Sequence, residues 1–245
     1  MWIEILFVFF VLLIGSFIQG VSGFGFGLVA MGLLPFLFTV KDSTLLVISL
    51  AIVLAGSILI KEYKHLDIKG LSVILSAAIV GRIGAFFFLT NFGELEELEN
   101  VLGLFLMGMV LYLFFKKKGE GPSRLMLHPL TPVLLGLVGG FVGGVFAVGG
   151  PFFVVYFLML YQNKHRYNAN MQASFFITSL LTLVLHGTSG DLNPDFFVYF
   201  LIGIASVILG SRVGLLFFDR LSQRRVQQSA MALVFLAGLS LILFS

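Results

Sequence analysis

The stretch GSFIQGVSGFGFG at residues 15–27 decides the fold, and a second version of it, GGFVGGVFAVGGP, follows at residues 139–151. The offset between the two copies is a constant 124 residues, and three glycines, one phenylalanine and one valine coincide at that offset. Each copy interrupts an otherwise continuous hydrophobic run. Backbone leaves a helix at membrane depth only where protein or a water-lined cavity covers it. Matching interruptions in two halves are typical of a transporter's binding site, so we interpret both stretches as parts of one substrate site.

The composition is that of an integral membrane protein. Of 245 residues, 59% are hydrophobic and only 11% are charged, whereas soluble domains are about a quarter charged. The start, MWIE, lacks the basic region of a cleaved signal, so we expect it to belong to the first membrane segment. The chain has no cysteine, its four histidines are scattered, and it has no P-loop. We therefore expect no metal, no cofactor, no ATP drive and no nucleic-acid partner.

The positions of lysine and arginine decide between two topologies. If each glycine stretch is a kink in one span, 7 basic residues fall inside and 6 fall outside. If each stretch is the tip of a hairpin that enters and leaves on one side, 12 fall inside and Lys41 alone falls outside. The positive-inside rule favours the hairpins, either re-entrant or fully spanning. We expect a multi-pass protein of the cytoplasmic membrane with both termini outside.

Matching loops of the two halves carry opposite charge. The loop at residues 61–69 is basic and its counterpart at 187–195 is acidic, whereas the loop at 91–99 is acidic and its counterpart at 219–225 is basic. Opposite charge indicates opposite orientation across the membrane. The sequence thus predicts an all-α membrane protein of two inverted repeats, each a glycine-broken helical hairpin followed by three transmembrane helices. The expected parts are a first repeat at 1–115, a cytoplasmic linker at 116–130 and a second repeat at 131–245.

Two arginines lie inside apolar segments, and their surroundings match. GRIG at residues 81–84 and SRVG at residues 211–214 place Arg82 opposite Arg212 at an offset of 130. A charge at membrane depth is costly and indicates function by default, and no carboxylate at that depth is available as a partner. Because the guanidinium fork holds two oxygens at once, we expect an anionic substrate to be the counter-ion. The alternative is that these side chains snorkel to the surface.

The glycine turns have a chemical use beside the arginines. A helix that restarts after such a turn presents unpaired N–H groups and a positive dipole end, which together bind anions. The alternative is close packing of helices through small residues. The tip residues expected in the substrate site are Gln19, Gly20, Ser22, Gly23, Gly25, Gly143, Gly144, Gly149 and Gly150.

Polar residues after the second hairpin are further candidates. Asn170, Gln172, Ser174 and Thr178 open that segment and could donate hydrogen bonds to oxyanion oxygens. The alternative is that they bond across helices or cap helix starts. His186 lies near an outer end, and we interpret it as an interfacial histidine rather than a proton carrier.

These motifs, taken in order, resemble the sulfite exporter TauE/SafE family of membrane transporters. The resemblance is carried by the two glycine stretches, by QASFFITS at residues 172–179, and by GSRVG at residues 210–214 before a basic turn and a last helix. It covers essentially the whole chain in two halves. What it implies is a carrier of small sulfur-containing anions such as sulfite and organosulfonates, without fixing which one.

The sequence therefore predicts a secondary transporter, not an enzyme, that moves a small oxyanion across the cytoplasmic membrane by alternating access. An anion channel is the alternative, and a membrane-embedded enzyme is disfavoured because the spans contain no carboxylate pair, cysteine or histidine cluster. The expected partners are a small anionic substrate and membrane lipid, and a homodimer is compatible with the sequence. Transport direction and coupling ion stay open.

Overall fold

The computed structural model describes residues 2–95, 97–115, 128, 130–191, 194–218, 220 and 223–244. Throughout these residues all regular structure is helical. The expected linker at 116–130 lies outside the described residues except for His128 and Leu130. The helices are α1 Trp2–Ser22, α2 Phe26–Leu33, α3 Val40–Glu62, α4 Ile68–Phe92, α5 Glu97–Phe115, α6 Thr131–Phe146, α7 Gly150–Leu160, α8 Lys164–Thr188, α9 Pro194–Leu216 and α10 Gln223–Phe244, with short 3-10 turns at Leu34–Phe36 and Tyr63–His65.

Within the part of the chain that the structure describes, five helices are long and apolar enough to cross a membrane. They are α1, α3 extended to His65, α4, α8 and the part of α9 from Phe196. The helices α2, α6 and α7 are also apolar but shorter. The prediction of an all-α membrane protein is confirmed for the described residues.

Both glycine stretches break their helices. Between α1 and α2 the backbone takes left-handed values at Gly23 (φ 84°) and Gly25 (φ 117°), and between α6 and α7 it does so at Ala147 (φ 55°). A left-handed residue ends a helix, and glycine adopts that conformation without steric cost. Each stretch is therefore a helix–turn–helix hairpin, with α1 and α2 in the first and α6 and α7 in the second, as the sequence predicts.

The central helices α3 and α8 run antiparallel. At one end of the molecule His165 Nδ1 of α8 lies 3.0 Å from the Glu62 carboxylate of α3. At the opposite end Lys41 Nζ of α3 lies 2.9 Å from the carboxylate of Asp191, just after α8. The basic loop at 61–69 therefore meets the start of α8 at the end that the sequence analysis assigns to the cytoplasm, which we name the inner end. The end that holds Lys41 and Asp191 is named the outer end.

The inner end is also fastened by Asp67, the N-cap residue of α4. Its carboxylate accepts hydrogen bonds from the backbone N–H of Gly70 (3.2 Å), from the Tyr161 hydroxyl (3.1 Å) and from Arg166 Nη2 (3.1 Å). These contacts, the Gly70 bond first, hold the pKa of Asp67 below its usual value. Asp67 therefore joins the start of α4 to α7 and α8 as an ionised group at neutral pH.

Two helix crossings repeat the same packing. In the α4–α6 crossing, a Cβ on Gly81 would overlap the Leu137 carbonyl oxygen, and in the α1–α9 crossing a Cβ on Gly210 would overlap the Leu13 carbonyl oxygen. Leu13 and Leu137 differ by the 124 residues that separate the glycine stretches. Gly81 and Gly210 are therefore equivalent, at an offset of 129.

This equivalence corrects the pairing of Arg82 with Arg212. At an offset of 129 the counterpart of Arg82 is Ser211, which is buried, and the counterpart of Arg212 is Ile83, which is exposed. The expected offset of 130 is wrong by one residue, which on a helix rotates a side chain by about 100°. Arg212 accordingly lies on the exposed face of α9.

The glycine crossings give a stability prediction. Gly81→Ala should lower the free energy of unfolding by about 1–3 kcal/mol, because its Cβ would press on the backbone of α6 and overpacking costs that much. Gly84→Ala on the same helix is the control, since the nearest neighbour of its Cβ would be the Phe141 ring at an ordinary 3.7 Å. Thermal unfolding in detergent measures both variants. Equal melting temperatures would contradict the packing described here.

Candidate functional site

The tips of the two hairpins meet inside the protein. A Cβ on Gly27, in the first turn of α2, would overlap the carbonyl oxygen of Ala147 in the second tip. A Cβ on Gly150, at the start of α7, would lie 3.6 Å from the Cβ of Phe24 in the first tip. The two breaks that are 124 residues apart in sequence are therefore in van der Waals contact, as expected for parts of one site.

A cavity lies between the tips. It combines residues of both tips with Arg82 of α4 and with side chains of α1, α3 and α8. Its volume is ≈ 40 Å³, room for about three water molecules or for an anion with only a few non-hydrogen atoms. The lining residues are Gln19, Phe24, Gly25, Phe26, Gly27, Leu28, Val47, Ile48, Ala51, Arg82, Ala147, Val148, Gly149, Gly150, Pro151, Phe175 and Ser179.

Each tip is held by the central helix of the other half. The Thr44 hydroxyl of α3 donates to the Val145 carbonyl at the end of α6 (2.9 Å). The Gln172 amide of α8 donates to the Gly23 carbonyl in the first tip (2.9 Å). Carbonyls at a helix C-terminus lack intrahelical partners, so these bonds satisfy them in the buried interior. They also fix each tip to a helix of the opposite half.

Gln172 further fixes the cavity residue Gln19. Gln19 Nε2 donates to Gln172 Oε1 (3.0 Å), and Gln172 Nε2 donates to Asn168 Oδ1 (2.9 Å) as well as to the first tip. All three side chains are almost wholly buried. Gln172 therefore does not line the cavity itself. It holds the side chain of Gln19, which does.

The helices α2 and α7 both begin at the cavity. Gly25 is the N-cap residue of α2 and Gly149 that of α7, and neither helix has a side-chain hydrogen bond at its N-cap. The first N–H groups of a helix have no intrahelical partners, and their dipoles favour negative charge. Two partly positive helix ends therefore border one cavity.

Arg82 supplies a full positive charge at the same place. The residue is 4% exposed, and its Nη1 and Nη2 donate to the hydroxyls of Thr182 (3.2 Å) and Thr178 (3.5 Å). Its Nε is buried without a partner. Gly143 and Gly144 make room for it, since a Cβ on Gly143 would lie 2.9 Å from Nη2 and one on Gly144 would lie 3.3 Å from Cδ.

No carboxylate of the described residues lies within ion-pair distance of Arg82. A buried charge without a counter-charge is strongly destabilising. Threonine hydroxyls solvate the guanidinium only in part, because they accept from Nη1 and Nη2 while no described residue accepts from the Nε–H. The arrangement is suited to an oxyanion, which would accept hydrogen bonds from the guanidinium and from helix-end N–H groups together.

The structure brings some of the predicted site residues together and places others elsewhere. Those that line the cavity are Gln19, Gly25, Arg82, Gly149 and Gly150. Gly143 and Gly144 pack on Arg82, and Gln172 and Gly23 join the first tip to α8. The remaining five lie elsewhere. Gly20 packs on α9, Ser22 is bonded within its own tip, and Ser174 is bonded to its own helix. Asn170 is bonded to Asp67 at the inner end, and Arg212 is exposed.

Two polar contacts of the site were not expected from the sequence. Ser179 lines the cavity, and Thr182 accepts a hydrogen bond from Arg82. Thr178 and Thr182 are four residues apart on α8 and thus share a face. A helical plot of this segment for polar rather than apolar residues would have shown that stripe.

Comparison with family models gives a match over nearly the full chain. Residues 7–241 match the model described as sulfite exporter TauE/SafE. No curated protein and no solved structure matches the chain.

Proposed function

Because the chain belongs to the sulfite exporter TauE/SafE family, a family of membrane transporters, we propose that it is a secondary transporter of a small oxyanion such as sulfite or a short organosulfonate. The substrate lies between the hairpin tips, with Arg82 as its counter-ion. The transporter resides in the cytoplasmic membrane with both termini outside.

One observation carries this proposal. A buried guanidinium without a carboxylate partner in the described residues faces a cavity bordered by two uncapped helix N-termini. Each feature attracts an anion, and all three converge on one volume of ≈ 40 Å³. That volume favours an anion with few atoms over a large one. The fork geometry of arginine favours an oxyanion over a halide.

The packing also supports an inverted repeat. The central helices α3 and α8 hold equivalent places in the two halves, yet they run antiparallel. The crossings at Gly81 and Gly210 are equivalent as well. Equivalent helices with opposite directions are what a pseudo-two-fold axis in the membrane plane generates.

This arrangement supports alternating access. The tips are fixed to the helices of the opposite half by Thr44 and Gln172, so the two tips and the central helices move as units. Polar contacts close both ends, with Lys41 and Asp191 at the outer end and Glu62 and His165 at the inner end. Opening one set of contacts while keeping the other exposes the central cavity to one side at a time.

The proposal is tested by flux measurements on purified protein in liposomes. We expect uptake of labelled sulfite or ethanesulfonate to saturate with external concentration and to be accelerated by unlabelled anion inside, because a carrier exchanges one bound substrate at a time. Flux that rises with external concentration without saturating, and that is not accelerated by unlabelled anion inside, would indicate a pore instead. Liposomes without protein give the background.

A further inference from the structure

We infer that His186 is a proton-binding site coupled to the anion cavity, so that the second ligand of this carrier is a proton. The inference rests on the proposed function, because it deepens the role of the cavity at Arg82. It concerns a buried titratable side chain that the anion site does not use.

The His186 side chain is completely buried and has one bonded and one vacant nitrogen. Its Nδ1 lies 2.7 Å from Asp191 Oδ2, and since a carboxylate only accepts, Nδ1 carries the hydrogen of this bond. Its Nε2 is buried, and no described residue is bonded to it. In a neutral imidazole with Nδ1 protonated, Nε2 has a free lone pair, which is the place where a proton adds.

Asp191 stabilises the protonated ring without taking the proton itself. Burial acts to raise the pKa of Asp191, but the hydrogen bonds from Lys41 and His186 outweigh burial and hold that pKa below its usual value. The carboxylate therefore stays ionised when the imidazole titrates. A carboxylate fixed at 2.7 Å is the partner that an imidazolium needs.

The charged groups near His186 among the described residues come from three elements, one of which is α4 with Arg82. Asp191 belongs to the loop after α8, and Lys41 belongs to α3 and lies 2.9 Å from Asp191. Lys41 also contacts Glu94, whose side chain is 77% exposed. From α4 the ring is covered by Phe86, with the ring centroids 4.9 Å apart. A protonated His186 would thus share the Asp191 carboxylate with Lys41.

The coupling to the cavity follows from two successive contacts between α4 and α8. Arg82 donates to Thr182, and one helical turn further along each helix Phe86 packs on His186. The two contacts are one turn apart, about 5.4 Å along the helices, and a low-dielectric interior screens charge poorly, so the Arg82 charge opposes a proton on His186. An anion bound at Arg82 removes that repulsion. Anion binding and protonation therefore favour each other, and the effect is reciprocal.

The test measures proton uptake on binding of ethanesulfonate, which stays fully ionised throughout the pH range. Titration calorimetry of the full chain in buffers of different ionisation enthalpy counts the protons bound with the anion. We expect the anion to bind together with up to about one proton, and its affinity to rise as the pH falls, by up to about tenfold per pH unit. Binding without proton uptake would overturn this inference alone, whereas absence of saturable binding would overturn the proposed function with it.

Two variants assign the proton. His186→Asn keeps a donor near the Nδ1 position but has no titratable nitrogen, so its sulfonate binding should be independent of pH without proton uptake. His65→Asn, at the inner end and partly exposed, is the matched control and should behave like the wild type. Proton uptake retained in His186→Asn would overturn the assignment.

A third variant covers the case in which His186→Asn does not fold or bind. Asp191→Asn removes the anionic partner of the imidazolium, so the midpoint of the pH dependence should move to lower pH while proton uptake persists. An unchanged midpoint would overturn the assignment. If these residues only held α3 against α8, their substitution would lower the stability of the protein but would not move the midpoint of the pH dependence.

Discussion

Arg82→Ala should weaken binding of a small sulfonate by at least about 30-fold, because removing one member of a buried charge pair costs about 2–5 kcal/mol. The guanidinium is the one full positive charge at the cavity among the described residues. Isothermal titration with ethanesulfonate measures the loss. Arg212→Ala is the matched control. It removes the same charge from an exposed position on α9, so its affinity should equal that of the wild type.

The anion-free stability of Arg82→Ala separates a binding role from a structural one. A buried cation without an ionic partner destabilises the empty protein, so this variant should melt at the same temperature as the wild type or higher. It should also lose the increase in melting temperature that the anion gives the wild type. A large drop in the melting temperature of the anion-free variant, with ligand stabilisation intact, would show that Arg82 is a structural residue. Arg82→Lys, which keeps charge but not the fork, should bind with intermediate affinity.

Gly27→Ala should abolish most transport, because the added methyl group would overlap the Ala147 carbonyl and force the two tips apart. The obstructing atom belongs to the backbone, which cannot move aside as a flexible side chain can. We expect at least a tenfold loss of exchange, since a displacement of about 1 Å at a binding site costs on the order of a hundredfold in activity. The measurement is labelled-anion exchange in liposomes at matched protein density.

Gly108→Ala on α5 supplies the control away from the tips. Its Cβ would meet no atom within 4 Å, and Gly108 does not line the cavity. Exchange should stay within about twofold of the wild type, as expected for a substitution without overpacking. Equal losses in the two variants would mean that contact between the tips does not matter to transport.

Much of this fold could be predicted from the sequence because a bilayer leaves few options. Backbone must be helical unless it is covered, so glycine-rich interruptions in apolar runs had to be turns. The constant spacing of 124 residues then located both hairpins. The charge pattern predicted that the loop at 61–69 and the start of α8 share one end, and Glu62 and His165 meet there.

The register of the arginines could not be predicted in this way. Sequence similarity around Arg82 and Arg212 suggested an offset of 130, but the repeated glycine–carbonyl packing gives 129. A single insertion or deletion between equivalent helices rotates every later side chain by about 100°. Only contacts between helices, such as that of Gly81 in α4 with α6, could show which of the two arginines faces inward.

The long-range polar contacts could not be predicted from the sequence either. His186 and Asp191 are five residues apart, yet the loop that folds back so that the Asp191 N–H donates to the His186 carbonyl (3.2 Å) has no strong sequence signature. Lys41 is 150 residues away from Asp191 in the chain. A short acidic loop after a histidine is usually solvated, and the contact of Asp191 with Lys41 depends on the packing of α3 against α8.

The central claim is that an oxyanion binds between the hairpin tips against Arg82. Anomalous diffraction from crystals grown with 2-bromoethanesulfonate tests it most directly, since bromine marks the ligand independently of the protein density. The account predicts a bromine peak in the cavity, with the sulfonate oxygens in hydrogen-bond distance of the Arg82 guanidinium and the first turns of α2 and α7. A sulfonate bound at another place while this cavity stays closed around an unliganded Arg82 would contradict it.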